Sequence, residues 1–367
     1  MDNLPKTYCG SGVDTQNEKI ALRKIKPFFE ETFKNRKNVI GESLLQSINH
    51  YAALIKITDN QAIAITTDGV GTKALIAQFM DKYDTIGIDC IAMNVNDIIC
   101  TGAEPISFLD YLAVQKSDPG FIEEIAKGLK RGADIAKVSI VGGETAIMPD
   151  LINGVRRDRG FDLSGIGLGS INPENIINGN NIKEGDAVIG ISSSGIHSNG
   201  LTLARGIFCS EKNFLLEKHF HELGRSLGEE LLEPTYIYVN EIMRMIREGI
   251  RVNSLAHITG DGLINLTRIG QNFGYQINYL PEPQPIYSII QSYGHIDDTE
   301  MYEVYNMGVG MCVVVPIDQT DSALQIAEKF GKKAFVMGKA VKDVNNKKID
   351  IKPLRIASTK EDKFIRY

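Results

Sequence analysis

Four times along this chain a short apolar run stops abruptly in a polar, glycine-bearing loop. Ala62-Ile63-Ala64-Ile65-Thr66-Thr67 runs into Asp68-Gly69-Val70-Gly71-Thr72-Lys73, and Val138-Ser139-Ile140-Val141 runs into Gly142-Gly143-Glu144. Ala187-Val188-Ile189-Gly190-Ile191 enters Ser192-Ser193-Ser194-Gly195, and Ala256-His257-Ile258 enters Thr259-Gly260-Asp261-Gly262. Apolar runs this short read as buried strands, and small polar loops at strand ends are where mixed α/β proteins hold ligands. Helical patterns lie between them near 73–81, 85–100, 119–136, 235–248 and 321–330. Residues 51–57 and 62–67, with Asp59-Asn60 between them, read as a hairpin. Without strict strand–helix–strand regularity, the pattern favours an α+β fold of α/β-type units.

A length of 367 residues exceeds what one core usually supports. Asn, Gly and Pro accumulate around 172–185, which divides the chain into an N-terminal domain, 1–171, and a C-terminal domain, 172–345. The tail 346–367 reads as solvated and partly loose. Residues 18–35 read as an amphipathic helix interrupted or kinked at Pro27. The net charge of −6 argues against binding along a nucleic-acid backbone, while leaving local amides free to hold a small anion. Among the five cysteines no CxxC pair occurs, and Cys90, Cys100 and Cys312 sit in apolar contexts as reduced core residues. No secretory leader and no apolar run of about 18 residues is present, so the expectation is a cytoplasmic protein with no membrane contact.

The common nucleotide signatures are missing. Gly338-Lys339 precedes Ala340 rather than Ser or Thr, and no GxGxxG opens a helix. The loop Asp68–Lys73 has another logic: Gly69 and Gly71 let the backbone approach a phosphate, and Asp68 would repel it unless a divalent cation lay between. The alternative is a plain turn with Asp68 as a helix cap. In the apolar helix 86–99, Asp89 and Asp97 are eight residues apart with Asn96 beside the second. Buried carboxylates need cations, and the helix has none, so a metal or an arginine from elsewhere is required. Glu144, read as standing behind a Gly142-Gly143 turn, completes with Asp68 and Asp97 a hard-oxygen set suited to magnesium. The Ser193-Ser194-Gly195-Ile196-His197-Ser198-Asn199 loop could hold a phosphomonoester or be a serine-rich cap. His257, at a strand end beside Thr259-Gly260, could be structural or could move a proton.

The ordered set of these motifs resembles the phosphoribosylformylglycinamidine cyclo-ligase (AIR synthetase) family. It runs from Thr67–Lys73 through Gly102-Ala103-Glu104-Pro105, Val141–Ala146, Ser193–Gly200, Leu232-Glu233-Pro234-Thr235 and Ala256–Gly260 to Asn306–Met311. The resemblance covers about residues 8 to 340. It implies an ATP- and magnesium-dependent enzyme that closes the imidazole ring of purine biosynthesis by phosphorylating a formyl oxygen, after which an amidine nitrogen attacks. It also implies a homodimer whose N-terminal domains share a β-barrel, with the site in a cleft between domains. By the same resemblance Asp68, Asp97 and Glu144 are metal and ATP-phosphate contacts. Asp14, Gly69, Gly71, Thr72, Gly142 and Gly143 frame the nucleotide, with Lys73 beside it. Ser193, Ser194, His197, Asn199, Thr259 and Gly260 face the substrate, and His257, His197 and Lys73 serve the chemistry.

Two segments depart from the family pattern. Residues 38–47 hold one glycine where a glycine- and phenylalanine-rich segment normally covers the nucleotide, and a usual triple glycine is here Gly260-Asp261-Gly262. A carboxylate at Asp261 near phosphate needs a cation or another orientation. Cys9-Gly10-Ser11-Gly12 superficially fits a selenophosphate synthetase, and the departures leave open a paralogue that binds nucleotide without turnover.

Overall fold

The chain from Ala53 to Thr58 (β1) and from Gln61 to Gly69 (β2) forms the expected hairpin, with Ile55 opposite Ile63. In the computed structural model, residues 5–45, 48–210, 213–270, 272–343 and 348–367 are described. Glu104–Val114 (β3), Ser139–Ile147 (β4) and Phe161–Ile171 (β5) complete a sheet of order β1-β2-β5-β3-β4, in which only β3 and β4 run parallel. Lys73–Met80 (α2), Ile86–Cys100 (α3) and Pro119–Ala136 (α4) are close to the sequence expectations. Asp118 caps α4 by accepting from the Phe121 amide, and Pro119 opens it where no hydrogen bond is lost.

Alternation along β2 and β5 sends one row of side chains inward, Ala62, Ala64 and Thr66 on β2, against α3. The opposite row includes Ile166 on β5 and Tyr111 on β3, both exposed. One face of this sheet is therefore covered by helices and the other, apolar in part, is bare.

The C-terminal domain is built on Ala187–Ser192 (β6), Ser254–His257 (β7), Phe273–Ile277 (β8), Val309–Val315 (β9) and Ala334–Lys342 (β10). Ile349–Ile351 (β11), Ile356–Ser358 (β12) and Phe364–Arg366 (β13) extend it to the order β7-β9-β6-β10-β8-β11-β12-β13. Every residue of β9 is buried, which explains its unbroken apolar run. Around the sheet lie Leu201–Phe208 (α5), Leu227–Leu231 (α6), Val239–Arg247 (α7), Pro285–Gly294 (α8), Asp298–Val304 (α9) and Thr320–Lys329 (α10).

Three expectations are corrected. The helix Thr15–Glu31 (α1) is not interrupted at Pro27; none of its residues is buried, so the carbonyl that proline leaves unpaired is on an element open to solvent. Residues 348–367 are not loose: Ile349, Ile351, Ile356 and Phe364 pack into the core, although charged neighbours make the segment look solvated. The strand at 139–141 neither stops at Gly142-Gly143 nor is buried. It continues to Ile147 as the exposed edge β4.

The two halves of the N-terminal domain's helical layer meet with no room to spare. A Cβ on Gly87 of α3 would lie 2.1 Å from the Leu129 amide nitrogen of α4. Backbone atoms cannot yield as a side-chain tip can. Gly87→Ala is expected to cost about 1–3 kcal/mol of stability, read as a lower urea midpoint at unchanged slope.

Candidate active site

Helix α3 carries the polar centre of the molecule. Its residues are buried nearly all round, so each polar side chain on it must find a partner. Asp89 finds Lys73, not a metal. The Lys73 ammonium donates to Asp89 Oδ1 at 2.8 Å and to the Glu233 carbonyl at 2.6 Å, with both side chains fully buried. The same Oδ1 accepts from the Thr235 amide at 2.8 Å, from Thr235 Oγ1 at 2.7 Å and from Ser198 Oγ at 3.2 Å. Lys73 therefore joins the two domains through Asp89 and the Glu233 carbonyl.

Two turns further along, Asp97 emerges. Its side chain is 16% exposed and its Oδ1 lies 2.8 Å from His257 Nδ1. Asn96 Nδ2 donates to the Tyr236 carbonyl at 2.8 Å and lies 3.5 Å from His257 Nε2, while Asn96 Oδ1 accepts from the Tyr238 amide. An amide nitrogen can only donate, so Nε2 is the accepting nitrogen and Nδ1–H donates to Asp97. His257 is fully buried. It stands behind Asp97, which is the more exposed of the two.

Asp68, at the end of β2, accepts from the Gly69 amide at 2.7 Å. Burial, and secondarily the Asp97 carboxylate, pushes its carboxyl up to about 6. Two acids held close without a cation between them are poised to take one up. Magnesium typically uses one or two carboxylates together with phosphate oxygens and water, and Asp68 with Asp97 fits that pattern. Glu144 does not fit. The row Asp68–Gly165–Asp110–Gly143 crosses β2, β5, β3 and β4, three strand spacings or about 14 Å. Glu144 belongs to the next row, opposite Tyr111, and so points to the bare face of the sheet. Gly143 serves a different purpose: a Cβ there would lie 2.3 Å from Asp110 Oδ1, so the glycine makes room for that side chain. Among the described residues no three His, Cys, Asp or Glu side chains converge into a ready-made metal cage.

The hydroxyls of the serine-rich loop after β6 are held by neighbouring segments, while His197 Nδ1 is buried with no partner among the described residues. Ser193 Oγ donates to Asn306 Oδ1 at 2.9 Å and Ser194 Oγ to the Pro234 carbonyl at 2.5 Å. His197, buried and at φ 60°, accepts at Nε2 from the Ser194 amide at 3.2 Å. Burial, then the neighbouring His257 and Lys73, hold its imidazole well below the ordinary histidine range, so it stays neutral. Thr72 Oγ1 is bonded to Thr202 Oγ1 at 2.9 Å, and Gly71 takes φ 57° to open α2.

The remaining predicted residues meet in one cleft of about 500 Å³ between α1, the β7 loop, α9 and the C-terminal tail. Asp14, Asn199, Thr259, Gly260 and Asp261 line it. Asp14 also caps α1, accepting from the Asn17 amide at 3.0 Å. Asp261 has its cation: Lys19 Nζ lies 3.1 Å away. Sequence reasoning missed Lys19 and Arg268, which line the same cleft. Arg268 stacks over the Tyr51 ring at 4.5 Å. An arginine beside a glycine turn carries no motif of its own, and Lys19 lies among the ordinary charges of α1.

The family described as AIR synthase related protein matches this chain twice, its N-terminal domain at residues 49–171 and its C-terminal domain at 183–350. A phosphoribosylformylglycinamidine cyclo-ligase of Pyrococcus horikoshii is 47% identical over 343 residues, 94% of this chain and 97% of its own. Its namesake in Methanothermobacter thermautotrophicus is 47% identical over 320 residues, 87% and 90% of the two chains. Among solved structures, a HypE–HypF complex aligns with TM-score 0.60 at 21% identity over 88% of this chain and 95% of that one. Thiamine-monophosphate kinase from Stenotrophomonas maltophilia gives 0.59 at 19% over 85% and 92%. At such identities these two show the shared fold alone.

Lys73→Met leaves Asp89 buried without its cation and is expected to cost about 3–5 kcal/mol, measured by chemical denaturation. Asp68 gives a pH signature. Its folded value of about 6 lies above the unfolded 3.8, so the folded state holds the extra proton between them, and stability falls as pH rises through that window. Asp68→Asn, which can still accept from Gly69, is expected to melt higher than the parent above pH 6 in magnesium-free buffer. That advantage should vanish near pH 4.

Proposed function

The chain belongs to the phosphoribosylformylglycinamidine cyclo-ligase family, and from that premise we propose that its chemistry takes place where Asp68 and Asp97 open into the inter-domain cleft. As an ATP-dependent ligase of purine biosynthesis, it closes formylglycinamidine ribonucleotide to aminoimidazole ribonucleotide. The observation that carries the placement is the pair of carboxylates, one of them pushed up to about 6, at the mouth of the buried polar centre on α3. ATP donates its terminal phosphoryl group to the formyl oxygen of the substrate. The amidine nitrogen then attacks that carbon, the carbon–oxygen bond breaks, and inorganic phosphate leaves with the formyl oxygen.

Magnesium, when bound, neutralises the phosphate charge, and Asp68 and Asp97 are the residues that would hold it. The protein's own part is positional. His257 donates through Nδ1 to Asp97 and fixes that carboxylate, which is suited to receive the proton the attacking nitrogen releases. Asn96 fixes the imidazole in turn. The buried Lys73–Asp89 pair keeps α3 against the C-terminal domain, so that residues of both domains share one cleft.

A homodimer accounts for the bare face of the five-stranded sheet. Ile166 and Tyr111 on that face and the exposed edge β4 would be covered if two copies closed a common barrel. Glu144 would then face the barrel interior. Among the described residues no helix is long and apolar enough to cross a membrane, and we assign the enzyme to the cytoplasm with no nucleic-acid partner.

The purified protein is expected to form aminoimidazole ribonucleotide with one ADP and one phosphate per product. ATP binding without product would identify a non-catalytic paralogue instead. His257→Ala should lower kcat about 10- to 100-fold with little change in KM for ATP. A His257→Ala variant that keeps the parent's kcat would reduce His257 to a packing residue.

A further inference from the structure

Before α7 the chain runs through Glu233-Pro234-Thr235-Tyr236-Ile237-Tyr238 with neither helix nor strand to hold it. No backbone ladder fixes such a segment, so side chains must place it. Asn96 depends on that placement. Its Nδ2 donates to the Tyr236 carbonyl at 2.8 Å, and its Oδ1 accepts from the Tyr238 amide at 3.0 Å. The same Nδ2 lies 3.5 Å from His257 Nε2. A shift of Tyr236 or Tyr238 therefore reaches the imidazole through a single amide side chain.

The two tyrosines share a cation that no sequence motif marks. Lys332, between α10 and β10, has its ammonium 5.3 Å from the centre of the Tyr236 ring and 5.6 Å from that of Tyr238. The rings stand edge to face at 6.3 Å, and at these distances one ammonium attracts both. Glu241 of α7 keeps the ammonium there: its Oε1 lies 2.9 Å from Lys332 Nζ, with the glutamate side chain fully buried and the lysine side chain 14% exposed. Burial pushes the Glu241 carboxyl up, and Lys332 opposes that rise. Glu241 Oε2 has no partner among the described residues, and neither Glu241 nor Lys332 lines the cleft. Desolvation offsets the attraction in a pair buried like this, so net stability is a weak reason for it. What the pair does supply is a fixed charge against two rings.

We propose that Lys332, held by Glu241, is a positioning residue for ring closure: seated against Tyr236 and Tyr238, it fixes the segment that grips Asn96 and so keeps the donor to His257 Nε2 in place. The chemistry it serves rests on the cyclo-ligase reading above. Lys332 acts through Asn96 and His257 and touches no reacting atom.

Lys332→Met alone would leave Glu241 buried without its cation and would lower stability. The test is therefore the double variant, Glu241→Met with Lys332→Met, which removes both charges together and is expected to melt close to the parent. Its kcat for aminoimidazole ribonucleotide formation should fall about 5- to 20-fold with KM for ATP within about twofold, because orientation is lost and binding is not. Lys332→Arg, which keeps the charge and stacks on aromatic faces, should retain most of the parent's kcat. In nitrogen-15 spectra of the histidines, with His257→Ala identifying the signal, the His257 Nε2 resonance of the double variant should move downfield as it loses the Asn96 donor. Parental kcat in the double variant would overturn the proposal and leave the pair as packing. So would a Lys332→Arg enzyme as slow as the double variant, or an unmoved Nε2 resonance. A parent that forms no product would refute the catalytic reading instead, and the resonance would then decide the positioning of His257 without turnover.

Discussion

The buried ion pair between Lys73 and Asp89 is the contact on which the working arrangement depends. Asp89 lies on α3 of the N-terminal domain, and its Oδ1 gathers donors from Lys73, Thr235 and Ser198. Lys73, at the start of α2, also reaches the Glu233 carbonyl of the C-terminal domain. Burying two charges is costly, so such a pair contributes less to net stability than to the uniqueness of the packing around it. Here it fixes the rotation and depth of α3. Asp97 on the same helix then emerges at the cleft, and β7 of the other domain delivers His257 behind it.

Most of the architecture was legible in the chain because local signals and tertiary demands agree. The hairpin at 53–69, α3 and α4 follow from period, caps and turn chemistry. The failures share a cause: each needed a partner distant in sequence. Gly142-Gly143 looks like a turn until Asp110 on the neighbouring strand is seen to occupy the space above Gly143. Glu144 looks like a third metal ligand until the strand register sends it to the opposite face. Ser193 and Ser194 read as a phosphate cradle, and the structure adds what the sequence does not show, that their hydroxyls donate to Asn306 and to the Pro234 carbonyl. Asp89 was rightly read as needing a cation, and the cation comes from α2 rather than from a metal.

The polar residues of the motifs thus fall into two groups that sequence alone does not separate. Lys73, Asp89, Asn96, His197 and Ser193 are buried and bonded to one another or to the backbone, while Asp89 Oδ2 and His197 Nδ1 have no partner among the described residues. Asp68, Asp97, Asn199, Asp261, Lys19 and Arg268 border the inter-domain space or stand beside it. The HypE and thiamine-monophosphate kinase structures share this fold, and a shared fold leaves chemistry to be argued from the residues at the site.

Asp97→Asn and Asp89→Asn make the division measurable, since both change one carboxylate on the same helix to its isosteric amide. Turnover and thermal melting measured side by side are predicted to split. Asp97→Asn should lose at least 100-fold in kcat at nearly unchanged melting temperature, and Asp89→Asn should melt markedly lower while its folded fraction still turns over. The reverse pattern, with Asp89→Asn silent in stability and dead in turnover, would contradict the account.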